Sequence, residues 1–344
     1  MPMSLRSRAE VAGIQLIYGL PRPVRRFIAG RTIRLDGQQL ALDAQLFLRL
    51  QQLSRVKMPG GDPVAARARL ARSQDAAVGK RIEPISVREV TIADGLVATL
   101  YTPGGLAKRS GLLVYFHGGG WVIGSRASHD NTARYLAQRA GVRVLSVEYR
   151  LAPEHPFPAA VDDALAAFDF AHAKAEDLGA DPDRIAVGGD SSGGNLAAVT
   201  ALETTRRGGP APAFQLLLYA PFDATRRRRS RELFGHGFFL TDEDMTWYLD
   251  LYAPPSVARD DVRLSPLLAE DVTGLPPAYL ATAGFDPLRD EGEEYAKKLR
   301  DAGVPVALSC HTDLIHGYAN FFGVGKRFSE AIAEAAGALR MGLS

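Results

Sequence analysis

The stretch RIAVGGDSSGGN, residues 184–195, decides the fold. Its first half, RIAVGG at 184–189, is a short apolar run that predicts a buried strand. The residues from Gly193 predict a helix over 193–206. Between them lies Gly189-Asp190-Ser191-Ser192-Gly193, a G-x-S-x-G pattern held between strand and helix. A chain that turns sharply at the central residue needs neighbours two positions away without side chains, and both are glycine. Such a turn holds the Ser191 hydroxyl at the C-terminal edge of a sheet, over a helix N-terminus that favours developing negative charge. Ser192 cannot be the central residue, because the residue two before it is Asp190. Its backbone N–H, directly after Ser191, is placed to point at an oxyanion. A glycine-rich turn with incidental serines is the plainer alternative; the flanking strand and helix favour a nucleophile.

Outward from that stretch, strands and helices alternate. LLVYF at 112–116 predicts a strand, 129–139 a helix, 142–149 a strand and 159–174 a helix. Further strands are predicted at 214–220, 278–284 and 306–311, and further helices at 287–302 and 328–341. This order predicts an α/β protein with a mostly parallel central sheet flanked by helices on both faces. Apolar runs at 85–92 and 96–102, around Asp94-Gly95, predict a hairpin ahead of it. The alternation breaks between Pro221 and Pro276, where charged, aromatic and Pro-rich segments read as an insertion. Its four arginines at 226–229 read as solvated surface. Residues 1–80 read as helical: Leu40, Leu42, Leu46, Phe47, Leu50 and Leu53 recur at roughly helical spacing, and 64–77 is rich in Ala and Arg. No strand-like run is found there.

The strand at 112–116 runs into His117-Gly118-Gly119-Gly120-Trp121. Three glycines leave backbone N–H groups unhindered, suited to a tetrahedral oxyanion; one such donor is worth roughly 2.7–4 kcal/mol elsewhere. A phosphate-cradling loop is the competing reading, but no Gly-Lys-Ser/Thr follows and no G-x-G-x-x-G spacing is present. G-x-S-x-G between strand and helix is the nucleophile elbow of α/β-hydrolases, whose partners follow in the order Ser, Asp or Glu, His. His117 precedes the serine and reads as structural. After Ser191, Asp286 follows the strand at 278–284, while Asp290 lies farther into the next helix. Asp286 also suits a helix N-cap before Pro287. His311 belongs to a strand, whereas His316 lies in the loop after it, where a base has the exposure it needs. Ser191, Asp286 and His316 are the expected nucleophile, acid and base, with no metal ligand among them.

These residues resemble the bacterial hormone-sensitive lipase family of esterases (family IV). The resemblance rests on HGGGW at 117–121, YRLAPEHPFPAA at 149–160, GDSSGGN at 189–195, DPLRDEG at 286–292 and HGY at 316–318. It covers roughly residues 85–344, and the N-terminal part more loosely. It implies an α/β-hydrolase fold with a helical cap made of N-terminal helices and an insertion. That gives a cap at residues 1–80, a catalytic domain at 81–344, and a cap insertion at about 221–275. It also implies that the amides of Gly119, Gly120 and Ser192 form the oxyanion hole. Ser192 replaces the usual alanine, changing a side chain but not the amide. Tyr318 replaces the usual phenylalanine, a change expected to bear on the acyl pocket. Glu154 and His155 are given no chemistry. The expected function is a serine carboxylesterase for short- to medium-chain acyl esters working through an acyl-enzyme. An amidase or peptidase on the same triad, and a non-catalytic ligand-binding member of the fold, are the rival readings.

Composition narrows the rest. The chain has 344 residues, which fits about two units of ordinary domain size. Hydrophobic residues at 46% and charged residues at 23% exclude disordered, collagen-like and coiled-coil chains. A net charge of +2 gives no overall signal for nucleic acid. A single cysteine, Cys310, excludes an internal disulfide and a cysteine-ligated zinc cluster, and fits a reducing, cytoplasmic setting. No metal motif is found and no cofactor is expected. No apolar run is long enough for a membrane span; a homo-oligomer stays open. Residues 11–20 resemble the apolar core of a signal peptide but read as an amphipathic helix, being followed by Pro-Arg-Pro-Val-Arg-Arg. Residues 1–80 hold 14 Lys and Arg against 5 Asp and Glu, a net +9, which leaves −7 on the remainder. That asymmetry reads first as solvated helix faces; peripheral contact with an anionic membrane surface is the alternative.

Overall fold

The computed structural model describes residues 5–54, 60–73 and 79–344. The chain begins with helices α1 (Leu5–Gly19) and α2 (Arg22–Ala29), then α3 (Leu42–Ser54) and α4 (Pro63–Ser73) after a short ladder. The predicted helix at 64–77 is α4, and its last four positions lie outside the described residues. The ladder corrects the all-helical reading of this region: β1 (Arg34–Leu35) pairs antiparallel with β2 (Gln38–Gln39). Asp36 and Gly37 between them have φ of 54° and 73°, the left-handed pair a tight hairpin needs. Two-residue strands carry no apolar alternation, so only the Asp-Gly pair marks them in sequence.

The hairpin predicted around Asp94-Gly95 is β3 (Ile85–Ala93) and β4 (Leu96–Pro103). Then come β5 (Ser110–Phe116), α5 (Asp130–Ala140), β6 (Arg143–Val147), α6 (Ala159–Ala173), β7 (Ala180–Asp190), α7 (Ser192–Arg206) and β8 (Phe214–Leu218). After the insertion come β9 (Ala278–Phe285), α10 (Arg289–Asp301), β10 (Val306–Ile315) and α11 (Lys326–Gly342), the insertion itself holding α8 (Arg229–Phe234) and α9 (Asp242–Tyr252). Eight strands form one sheet in the order β10-β9-β8-β7-β5-β6-β4-β3. Neighbours from β10 to β6 are parallel, and only the β3–β4 hairpin joins antiparallel.

Both faces of the sheet are apolar because successive strand residues point to opposite sides. On β5, Leu112, Val114 and Phe116 join one core with α6, α7 and α10. Leu113 and Tyr115 join a second core with α3, α5 and α11. A strand apolar at every position, as LLVYF is, can be satisfied only by helices on both sides. Among the described residues no helix is long and apolar enough to cross a membrane.

The insertion between β8 and β9 is pinned, not loose. Thr241 and Asp244 form a reciprocal capping box that starts α9, with Asp244 N–H donating to Thr241 Oγ1 at 3.1 Å and Thr241 N–H to Asp244 Oδ2 at 3.0 Å. Of the four arginines read as solvated surface, Arg226, Arg227 and Arg229 are exposed and ion-paired there, and Arg228 departs from the reading. Arg226 meets Glu294, Arg227 meets Asp242 and Arg229 meets Asp36. Arg228 is buried, at 2.9 Å from Asp223, 2.8 Å from Glu294 and 3.4 Å from Glu291. Apart from nearby Asp223 and Asp242, their partners lie on α10 and in the N-terminal hairpin, so the run alone could not reveal them.

Glu291 also accepts the Phe222 N–H at 3.1 Å. Burial pushes its carboxyl up from 4.5 to about 8, against the pull of Arg228 and that N–H. Between those values the folded protein holds a proton that the unfolded chain has lost. The contribution is therefore full below 4.5 and is lost as pH rises through about 8. Thermal melts from about pH 5 to about pH 9 are expected to show Tm falling across this window, and Glu291→Gln is expected to flatten the fall. Equal slopes for the two proteins would contradict this placement of Glu291.

Candidate active site

Sheet order selects the place. β5 lies between β6 and β7, so the chain leaves β5 to one side and returns on the other. The carboxyl ends of strands at such a switch point open a crevice. The loops after β5 and β7 meet there, and those after β9 and β10 lie along the same edge.

Ser191 stands between β7 and α7 with φ 52° and ψ −123°. A non-glycine residue held there costs on the order of 1–3 kcal/mol, so the surroundings must enforce it. A Cβ on Gly193 would overlap the Phe116 carbonyl oxygen, and one on Gly189 would overlap Gly193. The Ser191 N–H donates to Leu218 O at 2.8 Å, and the Asn195 N–H donates to Ser191 O at 3.1 Å. The Asn195 amide donates to Pro221 O and Leu264 O, both at 3.0 Å, tying the first turn of α7 to the insertion.

The structure brings Ser191, His316 and Asp286 together. His316 Nε2 lies 2.9 Å from Ser191 Oγ, and His316 Nδ1 lies 2.8 Å from Asp286 Oδ2. With the ring proton on Nδ1 donated to the carboxylate, Nε2 accepts the serine proton. Asp286 is buried, and its other oxygen accepts the Leu288 N–H at 2.9 Å. It is therefore not the N-cap of α10, which begins at Arg289 after Leu288. Tyr219 sets its ring edge-to-face against His316 at 4.9 Å.

After β5 the chain turns through Gly119, whose carbonyl accepts the N–H groups of Val122 at 3.1 Å and Ile123 at 2.9 Å. Gly119 and Gly120 have φ of 124° and 60°, and their own amides donate to no acceptor among the described residues. A Cβ on Gly120 would overlap the ring of Tyr248 from α9, so the insertion sits directly on this loop. The 149–160 segment braces it from behind: Tyr149 Oη donates to His117 O at 2.6 Å, and the Ala152 N–H to Trp121 O at 2.9 Å. Trp121 stacks on Tyr252 at 4.5 Å. Glu154 pairs with Arg67 of α4, in keeping with a structural reading of that segment.

The residue that sequence reasoning missed is Asp190. Buried beside Ser191, it accepts the Gly118 N–H at 2.9 Å, the Tyr115 hydroxyl at 2.6 Å and the Asn320 amide at 2.9 Å. His129 Nε2 lies 3.5 Å away. Burial raises its pKa, but His129, Tyr115 and Asn320 outweigh that and hold the carboxyl below the usual range. One carboxylate thus links the Ser191 turn, the glycine loop and the loop after His316. Its place inside the G-x-S-x-G pattern was the available signal, but the pattern leaves that position free.

The other candidates stand apart. His117 is buried, with Nδ1 on Gly118 O at 2.9 Å, and burial with neighbouring His129 lowers it to about 4. His311 is buried on β10 with Nδ1 at 3.2 Å from Arg327, and burial lowers its pKa too. Asp290 Oδ2 accepts the Ser230 N–H at 2.7 Å, holding α8 against α10. Cys310 lies part-buried on β10, where burial raises its thiol pKa. Tyr318, whose departure from the family pattern was expected to bear on the acyl pocket, is fully buried. The left-handed turn at Gly317, φ 79°, sends it inward, where it packs edge-on to Tyr219 at 4.8 Å and His311 at 5.0 Å. Among the described residues no three His, Cys, Asp or Glu side chains cluster as a metal site.

Fold and site geometry together define an α/β-hydrolase. The profile of a family described by its alpha/beta hydrolase fold matches residues 113–320. The chain is 45% identical to the carboxylic ester hydrolase LipN of Mycobacterium tuberculosis, over 96% of this chain and 91% of that one. It is 40% identical to the ethyl acetate hydrolase of Pseudomonas putida, over 77% of this chain and 85% of that one. A thermostable esterase from Pseudomonas putida ECU1011 superimposes with a TM-score of 0.84 at 36% identity, covering 89% of this chain and 98% of that structure. The chain belongs to the bacterial hormone-sensitive lipase family (family IV) of α/β-hydrolases, and it is a carboxylic ester hydrolase.

The geometry separates the two carboxylates of the 286–292 segment. Asp286→Asn is expected to lower kcat on an activated ester by ~10⁴-fold, as loss of a triad carboxylate does elsewhere. Asp290→Asn, which loses the ion pair with Arg289 and weakens the tie to Ser230, is expected to lower Tm and leave kcat within about tenfold. Equal kcat losses would mean that Asp286 acts by shaping the turn before α10.

Proposed function

We propose that the protein is a serine carboxylesterase for short- to medium-chain acyl esters. The Ser191–His316–Asp286 hydrogen-bond chain, at 2.9 and 2.8 Å, carries this reading. Ser191 Oγ attacks the ester carbonyl as His316 Nε2 takes its proton. The carbonyl oxygen becomes an oxyanion, held by the amides of Gly119, Gly120 and Ser192. The C–O bond to the alcohol breaks, and the proton on His316 passes to the leaving oxygen. Water, deprotonated by the same imidazole, then attacks the acyl-enzyme; the acid departs and Ser191 regains its proton. Asp286 orients the imidazole and stabilises its charged form throughout.

We assign the cap to residues 1–80 and about 221–275, over a catalytic domain at 81–344. Phe47 of α3 and Phe239 of the insertion support this by meeting beside the His316 loop. Phe47 stacks on Phe321 at 4.3 Å, and Phe239 approaches Phe321 edge-on at 5.1 Å. Phe239 and Phe321 also lie against Gly317. An apolar wall there excludes water from the reacting carbonyl. It also sets a limit on acyl length. The Pseudomonas putida relative is named for ethyl acetate, a short ester.

A panel of esters of increasing acyl length, with matched amides, tests the reading. Each methylene buried in a matching pocket gains ~0.8 kcal/mol, about fourfold in kcat/KM, until the wall is reached. The expected profile rises to roughly four to eight carbons and then falls, with amides far slower throughout. Removal of residues 1–40 is expected to flatten it. A profile that climbs to long-chain triglycerides would remove the closed cap, and amides turned over faster than esters would remove the esterase assignment.

A further inference from the structure

Residues 11–35 contain five arginines, Arg22, Arg25, Arg26, Arg31 and Arg34, and no acidic residue. This segment runs from within α1 through α2 to β1. Three large apolar side chains on it face water: Leu16 is 70% exposed, Val24 43% and Phe27 87%. A phenylalanine that open to solvent on a helix is unusual, because a helix packed on a core turns its rings inward.

The outward placement is fixed by what holds the other side of each helix. Tyr18 Oη donates to Asp43 O at 3.0 Å, and Ile14, one turn earlier, packs against the core. Helical spacing puts Leu16 on the opposite side of α1. On α2, Arg25 donates to Asp43 at 2.8 Å and Arg26 to Gln45 at 2.9 Å, while Ala29 is buried. Val24 and Phe27 fall on the side away from α3 by the same spacing. Arg22 and Arg31 flank α2 at its two ends, both exposed, and Arg34 follows. None of these three forms an ion pair among the described residues.

We propose that this face docks on an anionic lipid bilayer, with Leu16, Val24 and Phe27 entering the headgroup–acyl boundary and Arg22, Arg31 and Arg34 on lipid phosphates. Apolar side chains beside unpaired arginines are the chemistry of an interfacial helix. The charge distribution gives the orientation: residues 1–80 carry +9 and the remainder −7, so a negative surface attracts this end and repels the other. A second copy of the chain is the poorer occupant. Two such faces would oppose Arg22, Arg31 and Arg34 of one copy to the same three of the other, with no carboxylate within residues 11–35 to neutralise them.

Co-sedimentation of the full chain with vesicles tests this. Vesicles of phosphatidylcholine with about 30% phosphatidylglycerol should bind the protein at least ~10-fold more tightly than pure phosphatidylcholine, and about 0.5 M salt should release it. Phe27→Ser, and Arg22→Glu with Arg31→Glu, should each cut binding by ~10-fold at unchanged Tm. Should Phe27→Ser lower Tm, Val24→Ser with Arg31→Gln carries the comparison, with the same expected loss. No binding to anionic vesicles at low salt, or equal binding by wild type and variants, overturns the proposal. So does a dimer in sedimentation velocity that Phe27→Ser dissociates, because a second copy would then cover the face.

Discussion

The turn at Ser191 is the constraint on which the rest of the structure depends. Its φ of 52° is tolerated only because nothing projects from Gly189 or Gly193 toward the end of β5, where the Phe116 carbonyl passes. That close approach draws β5, β7 and α7 together at the sheet edge, and it leaves Asp190 pointing back under the glycine loop. Asp190 then fixes Gly118, and through Asn320 it reaches the loop that carries His316. A strained serine, an unhindered row of amides and an imidazole are thereby held from one point. Such over-determination is what keeps an unfavourable backbone conformation in place. It also pre-arranges the proposed oxyanion donors, so that they need no reorganisation as charge develops.

The region above the sheet edge is tied down by charge as well as by packing. Arg228 gathers the carboxylates of Asp223 and Glu294 and the carboxyl of Glu291, from the β8–β9 connection and α10, and Arg229 reaches Asp36 in the N-terminal hairpin. Buried ion pairs cost desolvation and add little net stability, but they fix register well. Here the buried pairs of Arg228 hold the insertion against α10, and the surface pair of Arg229 with Asp36 reaches the N-terminal segment. Tyr248 stays over Gly120, and Phe239 stays beside the His316 loop.

Local pattern made much of this legible. The strand–elbow–helix run, the glycine loop after LLVYF, and the order of serine, aspartate and histidine along the chain led to residues that lie at the ends of β5, β7, β9 and β10 along one edge of the sheet. The β3–β4 hairpin and the alternation of helices and strands were readable for the same reason, since each is written within a dozen residues. What could not be read depends on partners distant in sequence. Asp190 gains its role from Tyr115, His129 and Asn320, the last 130 positions away. Arg228 looked like surface with its three neighbours because Glu291 and Glu294, which help bury it, come from α10. The burial of Tyr318 depends on the turn at Gly317, which sends it toward Tyr219 and His311. Asp286 also suited a helix cap because a carboxylate before Pro-Leu-Arg fits both a cap and a triad, and the start of α10 at Arg289 and the position of His316 separate the two.

The central claim is that Ser191 carries the acyl group between the two halves of hydrolysis. Mass spectrometry of protein quenched in acid during turnover of p-nitrophenyl butyrate measures this directly. The account predicts one butyryl group on the peptide that holds residues 189–195, placed on Ser191 by fragmentation, and lost with time at neutral pH as water takes the acyl group. A stable adduct on Ser192, or continued hydrolysis with no acylated serine at any quench time, would contradict it.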